Sequence, residues 1–456
     1  MIKLIILDPV WAMAEGSKEE LEFLAPCLSY KAQFVKEKPG RFSKEIKHYD
    51  KCIMSKKGLF PAGLVTRVAK YCKDRHKGVE IVEEYSLNLP YPTFEKMSLP
   101  DINLREDQAR MVKSCYKKGR GIIKAPTGSG KTVIASALIQ TLPDYTRVLF
   151  LCHTITLLRQ TEAEFKRFLK KPIGVIGEGK CDLQQITVST MQSFVKHAEA
   201  LRVYFDCIII DEAHHVSSMN GTYAQILSKM TASLRYGFTA TPQTSGESLL
   251  AMEGFIGPVI DELSMEEGIE TGILAKPRVK ILHSPKIVAL RQVRKYDDIY
   301  TTGVVENRGR NRLIASTTKE LILQGKTVLI IVLRLSHAKI LKEMLDIVGV
   351  DSFVMQGSTE GEMRQEVKQL FTDKTISCVI ATAVWREGVN VPTLDCIINA
   401  AGGKSEIATL QALGRGLRTA DGKDEALLID IFDNSHPFLI DHFGERFCLY
   451  VEQGWV

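Results

Sequence analysis

A chain of 456 residues, a quarter of them charged and with no long Gly/Ser, Pro or Gln tract, exceeds one ordinary domain and reads as two or three globular ones. No run approaches the roughly 18 apolar residues of a membrane span, and Met1–Asp8 is too short for a signal sequence and reads as a first strand. Net charge is only +6, and the ten cysteines are scattered without a C-x-x-C pair, which argues against a zinc site and for buried thiols in a reducing cytoplasm.

The charge is unevenly placed. Residues 31–77 hold fourteen lysines and arginines, Lys56 and Lys57 among them, against four acids. An excess of that size favours a polyanionic partner. Tyr30, Phe34, Phe42, Tyr49, Phe60 and Tyr71 interleave with these cations. Such rings can stack on unpaired bases; most are expected in the core of a small domain, leaving the basic side chains to touch phosphate. This first block mixes short strands and helices and ends near residue 98, after the turn-rich connector Asn88–Thr93.

The second block, 99–262, alternates short apolar runs with amphipathic helices. Its predicted strands are 121–125, 147–152, 186–189, 206–210 and 235–239. Continuous β-rich runs separated by helices imply a parallel sheet covered on both faces. Between the first strand and the helical run after it stands Ala125-Pro-Thr-Gly-Ser-Gly-Lys-Thr132. Strand, glycine-rich loop and helix form the context of a phosphate-binding loop. Its glycines let several N–H groups converge beside a helix N-terminus. Thr127, Gly128, Ser129 and Gly130 are expected to cradle phosphate, Lys131 to reach the β- and γ-phosphates, and Thr132 to hold Mg²⁺. Ala125 occupies the position where the strict pattern has glycine.

Asp211-Glu-Ala-His214 follows directly on the apolar run Cys207–Ile210. A carboxylate at the C-terminal end of a parallel strand is suited to a Mg²⁺ shell, for Asp211, and its neighbour Glu212 to orienting and deprotonating an attacking water. The adjacent His214-His215 lacks further ligands nearby and is not read as a zinc pair. The third block, 263–456, repeats the α/β grammar, with strands predicted at 327–333, 352–355, 377–381, 395–399 and 426–431 and helices at 336–347 and 361–372.

Together these segments resemble the motifs of superfamily-two helicases. Ala125–Thr132, Asp211–His214 and Thr239–Pro242 look like motifs I, II and III; Ser189–Gln192 resembles motif Ib, and Leu104–Gln108 the adenine-reading segment. Thr382–Pro392 resembles motif V, and Gln411–Arg418 motif VI. The resemblance implies two tandem RecA-like parallel-sheet domains behind a small N-terminal α+β domain, with ATP and Mg²⁺ as cofactors. It implies that Arg105 and Gln108 read adenine, Gln108 through its donor–acceptor amide, and that Gly388 lies against the nucleotide. Arg415 and Arg418 would neutralise the transferring phosphoryl group, and Gln411 would sense the γ-phosphate or meet His214. His214, Thr239 and Thr241 would couple hydrolysis to a nucleic-acid track contacted by Thr190 and Thr382.

The Asp-Glu-Ala-His box, Gly268–Ala275 and Glu306–Arg312 resemble the compact branch of XPB-type and phage UvsW-type DNA helicases. The first block is loosely similar to the N-terminal DNA-binding domain of phage recombination helicases. These likenesses imply an ATP-dependent DNA helicase acting on single-stranded, forked or branched DNA in the cytoplasm, that of the host if phage-encoded. An RNA helicase, a restriction-complex motor and an ATP-gated nucleic-acid clamp remain as alternatives.

Overall fold

The opening apolar run forms β1 (Ile2–Ile6), which pairs antiparallel with β2 (Trp11–Glu15). Helix α1 (Lys18–Leu24) starts at Ser17, whose hydroxyl accepts from Glu20 N–H while the Glu20 carboxylate accepts from Ser17 N–H. That reciprocal capping satisfies two amides no helical turn can reach. Strands β3 (Ser29–Glu37) and β4 (Lys44–Cys52) form a separate hairpin. Strand β5 (Leu59–Pro61), helix α2 (Val65–Asp74) and strand β6 (Val79–Glu83) complete a four-stranded sheet ordered β5-β2-β1-β6. Tyr30 and Phe60 lie in its core, as expected, whereas Tyr49 is exposed.

This computed structural model describes residues 1–37, 44–84, 97–126, 128–271, 276–356, 359, 361–382, 394–403, 425–452 and 454–456. The chain divides into two units, Met1–Ala125 with Gly130–Leu263, and Ser264–Val456 with Pro126–Ser129.

The rest of the first unit is an α/β sheet. Its elements are α3 (Glu106–Lys118), β7 (Arg120–Lys124), α4 (Lys131–Thr141), β8 (Val148–Cys152), α5 (Ile155–Leu169) and β9 (Ile173–Gly177). There follow β10 (Lys180–Cys181), β11 (Ile186–Thr190), α6 (Met191–Phe194), β12 (Cys207–Asp211), α7 (Thr222–Leu227), β13 (Leu234–Thr239), α8 (Gly246–Phe255) and β14 (Val259–Glu262). The order is β10-β9-β11-β8-β12-β13-β7-β14, parallel except at β10. Arg235 is fully buried in this sheet, and its guanidinium donates to the carbonyls of Ala232, Leu227 and Phe255 around the ends of α7 and α8.

The first block is not a loosely tethered module. Leu250 of α8 belongs to the N-terminal core, and Arg67 of α2 bonds Glu253 of α8 at 2.6 Å. Gly63 lies so close that a Cβ there would come within 2.1 Å of the Glu253 carbonyl oxygen.

The second unit contains α9 (Met265–Glu270), β15 (Lys276–His283), α10 (Tyr296–Tyr300), α11 (Arg308–Leu323), β16 (Val328–Ile331) and α12 (Leu335–Ile347). It continues through β17 (Phe353–Met355), α13 (Gly361–Thr372), β18 (Cys378–Ala381), β19 (Cys396–Asn399), β20 (Glu425–Phe432) and α14 (Pro437–Glu452). The sheet runs β15-β20-β19-β16-β18-β17, all parallel. Two buried ion pairs stand at its C-terminal edge, Arg310–Asp433 and Arg446–Asp430, each at 2.8 Å. Arg310 also donates to Ala400 O, Arg446 to Gly403 O, and the Tyr300 hydroxyl to Ala401 O. The stretch after β19 is thereby fixed by side chains from three helices.

Among the described residues no helix is long and apolar enough to cross a membrane. Most thiols are buried as expected, but Cys181, on the short edge strand β10, and Cys448, on the outer side of α14, are exposed.

Candidate active site

The glycine-rich loop leaves the C-terminal end of β7 and returns into α4. Gly128 and Gly130 adopt φ of +97° and +85°, left-handed values that side chains with a Cβ resist. Gly130 is constrained twice, because a Cβ there would come within 2.6 Å of Gln108 Nε2. Ala125 tolerates a methyl at the position of the usual glycine because it continues the sheet: it is fully buried and its N–H donates to Thr239 O at 3.0 Å. Ser129 is buried, and Thr127 lies outside the described residues.

Strand β13 lies between β7 and β12, so three sequence-distant segments end side by side. Lys131 Nζ approaches Glu212 Oε1 at 3.5 Å. His214 Nδ1 lies 2.9 Å from Thr239 Oγ1 and 3.4 Å from Glu212 Oε2. Thr241 N–H donates to the same Thr239 hydroxyl at 3.2 Å, and Gln243 donates to His214 O at 3.0 Å. Glu212 itself holds φ +49° at the start of the 3₁₀ turn Ala213–His215. Burial, reinforced by the Glu212 charge, pushes the Asp211 carboxyl up to about 6. Partial burial also raises Glu212, yet Lys131 and then His214 outweigh it and hold the carboxyl down to about 2. Burial together with its imidazole neighbours presses His215 to about 3 and keeps its ring neutral.

The other expected site residues are distributed unevenly. Gln108 is buried, and its Oε1 accepts from Arg105 N–H at the start of α3, so its amide serves first as a helix cap beside Gly130. Arg105 forms a two-point pair with Asp107, both bonds at 3.0 Å. Thr190 does not present its hydroxyl outward. It is 3% exposed and accepts from Ser193 N–H as the cap of α6, leaving exposed Gln192 as the outer residue of that turn. Thr382 stands half-buried just past β18. Lys56 and Lys57 are exposed in the tight turn closed by Gly58 N–H to Ser55 O at 2.9 Å. Gly388, Gln411, Arg415 and Arg418 lie outside the described residues. Two neighbours of the site escaped the sequence reading, Gln243, which bonds the His214 carbonyl, and His153, whose ring lies outside the bonded set and stacks on His215 with centroids 3.8 Å apart. Gln243 follows directly on the Thr239–Pro242 segment, and the position of β8 beside β12 brings in His153.

Residues 101–244 match the family described as type III restriction enzyme, res subunit, and residues 312–420 the helicase conserved C-terminal domain. The chain is a superfamily-two helicase. Its similarity is to the XPB- and UvsW-like branch. A DNA 3'-5' translocase XPB2 of Sulfurisphaera tokodaii is 29% identical over 78% of this chain and 86% of its own length. The ATP-dependent DNA helicase uvsW of Enterobacteria phage T4 is 23% identical, over 83% and 80%. The helicase domain of Hef from Pyrococcus furiosus shares the fold, with TM-score 0.52 and 15% identity over 75% of this chain and 98% of that one.

Use of ATP follows for a helicase of this family. The donor set also suits a hard cation. Asp211 is a half-buried carboxylate directly beside that of Glu212 at the end of β12, and carboxylate oxygens are the ligands that a hard divalent ion takes. Asp211 and the Thr132 hydroxyl would hold Mg²⁺, which supplies charge neutralisation for the phosphates.

Proposed function

We propose that this helicase is a DNA motor that hydrolyses ATP to translocate along, and to separate or branch-migrate, forked and recombination DNA. The observation that carries the reading is the bonded set Lys131–Glu212–His214–Thr239–Ala125, gathered at the C-terminal edge of a parallel sheet. Ligands of open α/β sheets bind at that edge. There the loop amides and Lys131 would bind the β- and γ-phosphates, Glu212 would orient the attacking water, and His214 and Thr239 would register its position. Arg415 and Arg418 would supply positive charge to the transition state, with Gln411 beside them. Gln108, Arg105 and Gly388 would hold the nucleoside. Phosphate contacts near Thr190, Thr382, Lys56 and Lys57 would carry no sequence information, which suits a motor stepping over any base.

DNA is favoured over RNA by the Asp-Glu-Ala-His box and by relatives named as DNA enzymes. The deciding experiment compares ATP turnover with single-stranded, duplex, forked, four-way and RNA ligands. Forked or four-way DNA should stimulate most. Stimulation by RNA alone would overturn the DNA reading. Glu212→Gln should lower kcat by about 10²–10⁴, and Arg415→Ala by about 10³–10⁵. Lys131→Ala should abolish stimulated turnover with the fold intact; wild-type turnover in it would remove the site assignment.

A further inference from the structure

We propose that His153 is a positioning residue that links nucleic-acid engagement at the Thr190 turn to the hydrolytic carboxylate Glu212, by stacking on His215. The proposal rests on the DNA-motor reading above and adds to it a residue outside the segments that the sequence singled out.

Sheet order supplies the first argument. Strand β8 lies between β11, which ends at Thr190, and β12, which ends at Asp211. The registers put Thr190 opposite Cys152 on one side and Ile210 opposite Leu151 on the other. His153 is the next residue of β8's chain, so it emerges at the sheet's C-terminal edge, flanked by the turn expected to meet DNA and by the carboxylates.

Side-chain geometry supplies the second. The His153 and His215 rings are nearly parallel, 7° apart, with centroids at 3.8 Å, and His214 lies 4.4 Å from His215 at 36°. His215 N–H donates to Glu212 O at 3.0 Å, closing the turn that holds Glu212 at φ +49°. A residue other than glycine keeps such a backbone only where its surroundings enforce it. The stack is one of those surroundings, and His214 from the same turn touches both Glu212 and Thr239. His153 Nδ1 is buried without a hydrogen-bond partner among the described residues, so stacking rather than hydrogen bonding at that nitrogen locates the ring. Immediately after it, Thr154 caps α5 by accepting from Leu157 N–H at 3.3 Å. The ring is therefore carried at a strand-to-helix junction, and a shift of that junction passes to the Glu212 turn through one contact.

The test compares wild type with His153→Ala and His153→Phe, measuring basal and DNA-stimulated kcat, KM for ATP, half-saturating DNA concentration and melting temperature. In His153→Ala stimulated kcat should fall about tenfold, short of the ~10²-fold cost of a 1 Å misplacement, while basal kcat, KM and DNA affinity stay within about twofold. His153→Phe keeps a stacking ring and should recover most of the stimulation. Unchanged stimulation in His153→Ala overturns the relay, and so does an equal loss of basal and stimulated turnover with a lowered melting temperature, which marks a structural role. Failure of the phenylalanine variant to rescue also overturns it. Wild type stimulated by DNA, with Lys131→Ala inactive, keeps the motor reading whichever of these outcomes appears; wild type unstimulated by any nucleic acid removes both readings.

Discussion

Gly130 shows how one position can carry two constraints. Its φ of +85° disfavours any Cβ, and the Gln108 amide occupies the space a methyl would need. Gly130→Ala should cost at least about 1 kcal/mol of backbone strain and raise KM for ATP. Adding Gln108→Ala removes the steric conflict but not the strain, so calorimetry on the pair separates the two costs. His337 offers a test by pH. Its Nε2 lies 2.9 Å from Asn311 Oδ1, an acceptor because Asn311 Nδ2 donates to Val305 O, so His337 is neutral with the proton on Nε2. Burial first, then the Arg310 charge, presses it to about 3 from an ordinary 6.5. The folded state thus binds this proton less readily than the unfolded chain. Its contribution is complete above pH 6.5 and is lost as pH falls towards 3, by about 2 kcal/mol at pH 5. His337→Gln should flatten part of the fall in melting temperature between pH 7 and 5; an unchanged profile would refute the assignment.

At the scale of elements, α8 is where the basic first block meets the first motor sheet. One side carries Leu250 into the N-terminal core and Glu253 to Arg67. Elsewhere along the helix Glu247 accepts from Ser218 Oγ and Met219 N–H, both at 2.9 Å, just past the carboxylate motif. Removing residues 1–98 would therefore strip a packed face as well as the basic block proposed to bind DNA. Gly63→Ala probes the packing alone: its Cβ meets backbone rather than a movable side chain, and the overpacking should cost about 1–3 kcal/mol in chemical denaturation. A neutral result would mean that this contact is looser than 2.1 Å implies.

At the scale of the whole molecule, a net charge of +6 says little until the committed cations are removed from the count. Arg67, Lys31 and Lys77 are paired with Glu253, Asp50 and Glu20, and Arg75 lies 3.7 Å over the Tyr71 ring. Lys56 and Lys57 have no ion pair among the described residues and are exposed. If they touch phosphate, Lys56→Glu with Lys57→Glu should weaken DNA binding on every sequence alike. The slope of log affinity against log salt should then fall by about 0.9 per lost duplex contact. An unchanged slope would place the DNA elsewhere on the surface.

The sequence by itself determined the motor's local parts. Cys207–Ile210 and Val148–Cys152 are uninterrupted apolar runs, legible because strands covered on both faces need no alternation. The phosphate loop and the acidic pair were legible because each follows such a run directly. Two edge strands were not: β14 is Val-Ile-Asp-Glu, and β15 mixes Lys276, Arg278 and Lys280 with a proline, as strands with one open side tolerate. Nor did the sequence reveal that Thr190 turns its hydroxyl inward or that Gln108 caps its own helix, because a side chain's partner depends on what the fold places beside it. Tertiary structure alone decided that β13 separates β7 from β12, joining Ala125 to Thr239 and Thr239 to His214, and that β8 delivers His153 onto His215. Local periodicity encodes which segments become strands; their order in the sheet follows from crossovers and packing between residues far apart in the chain.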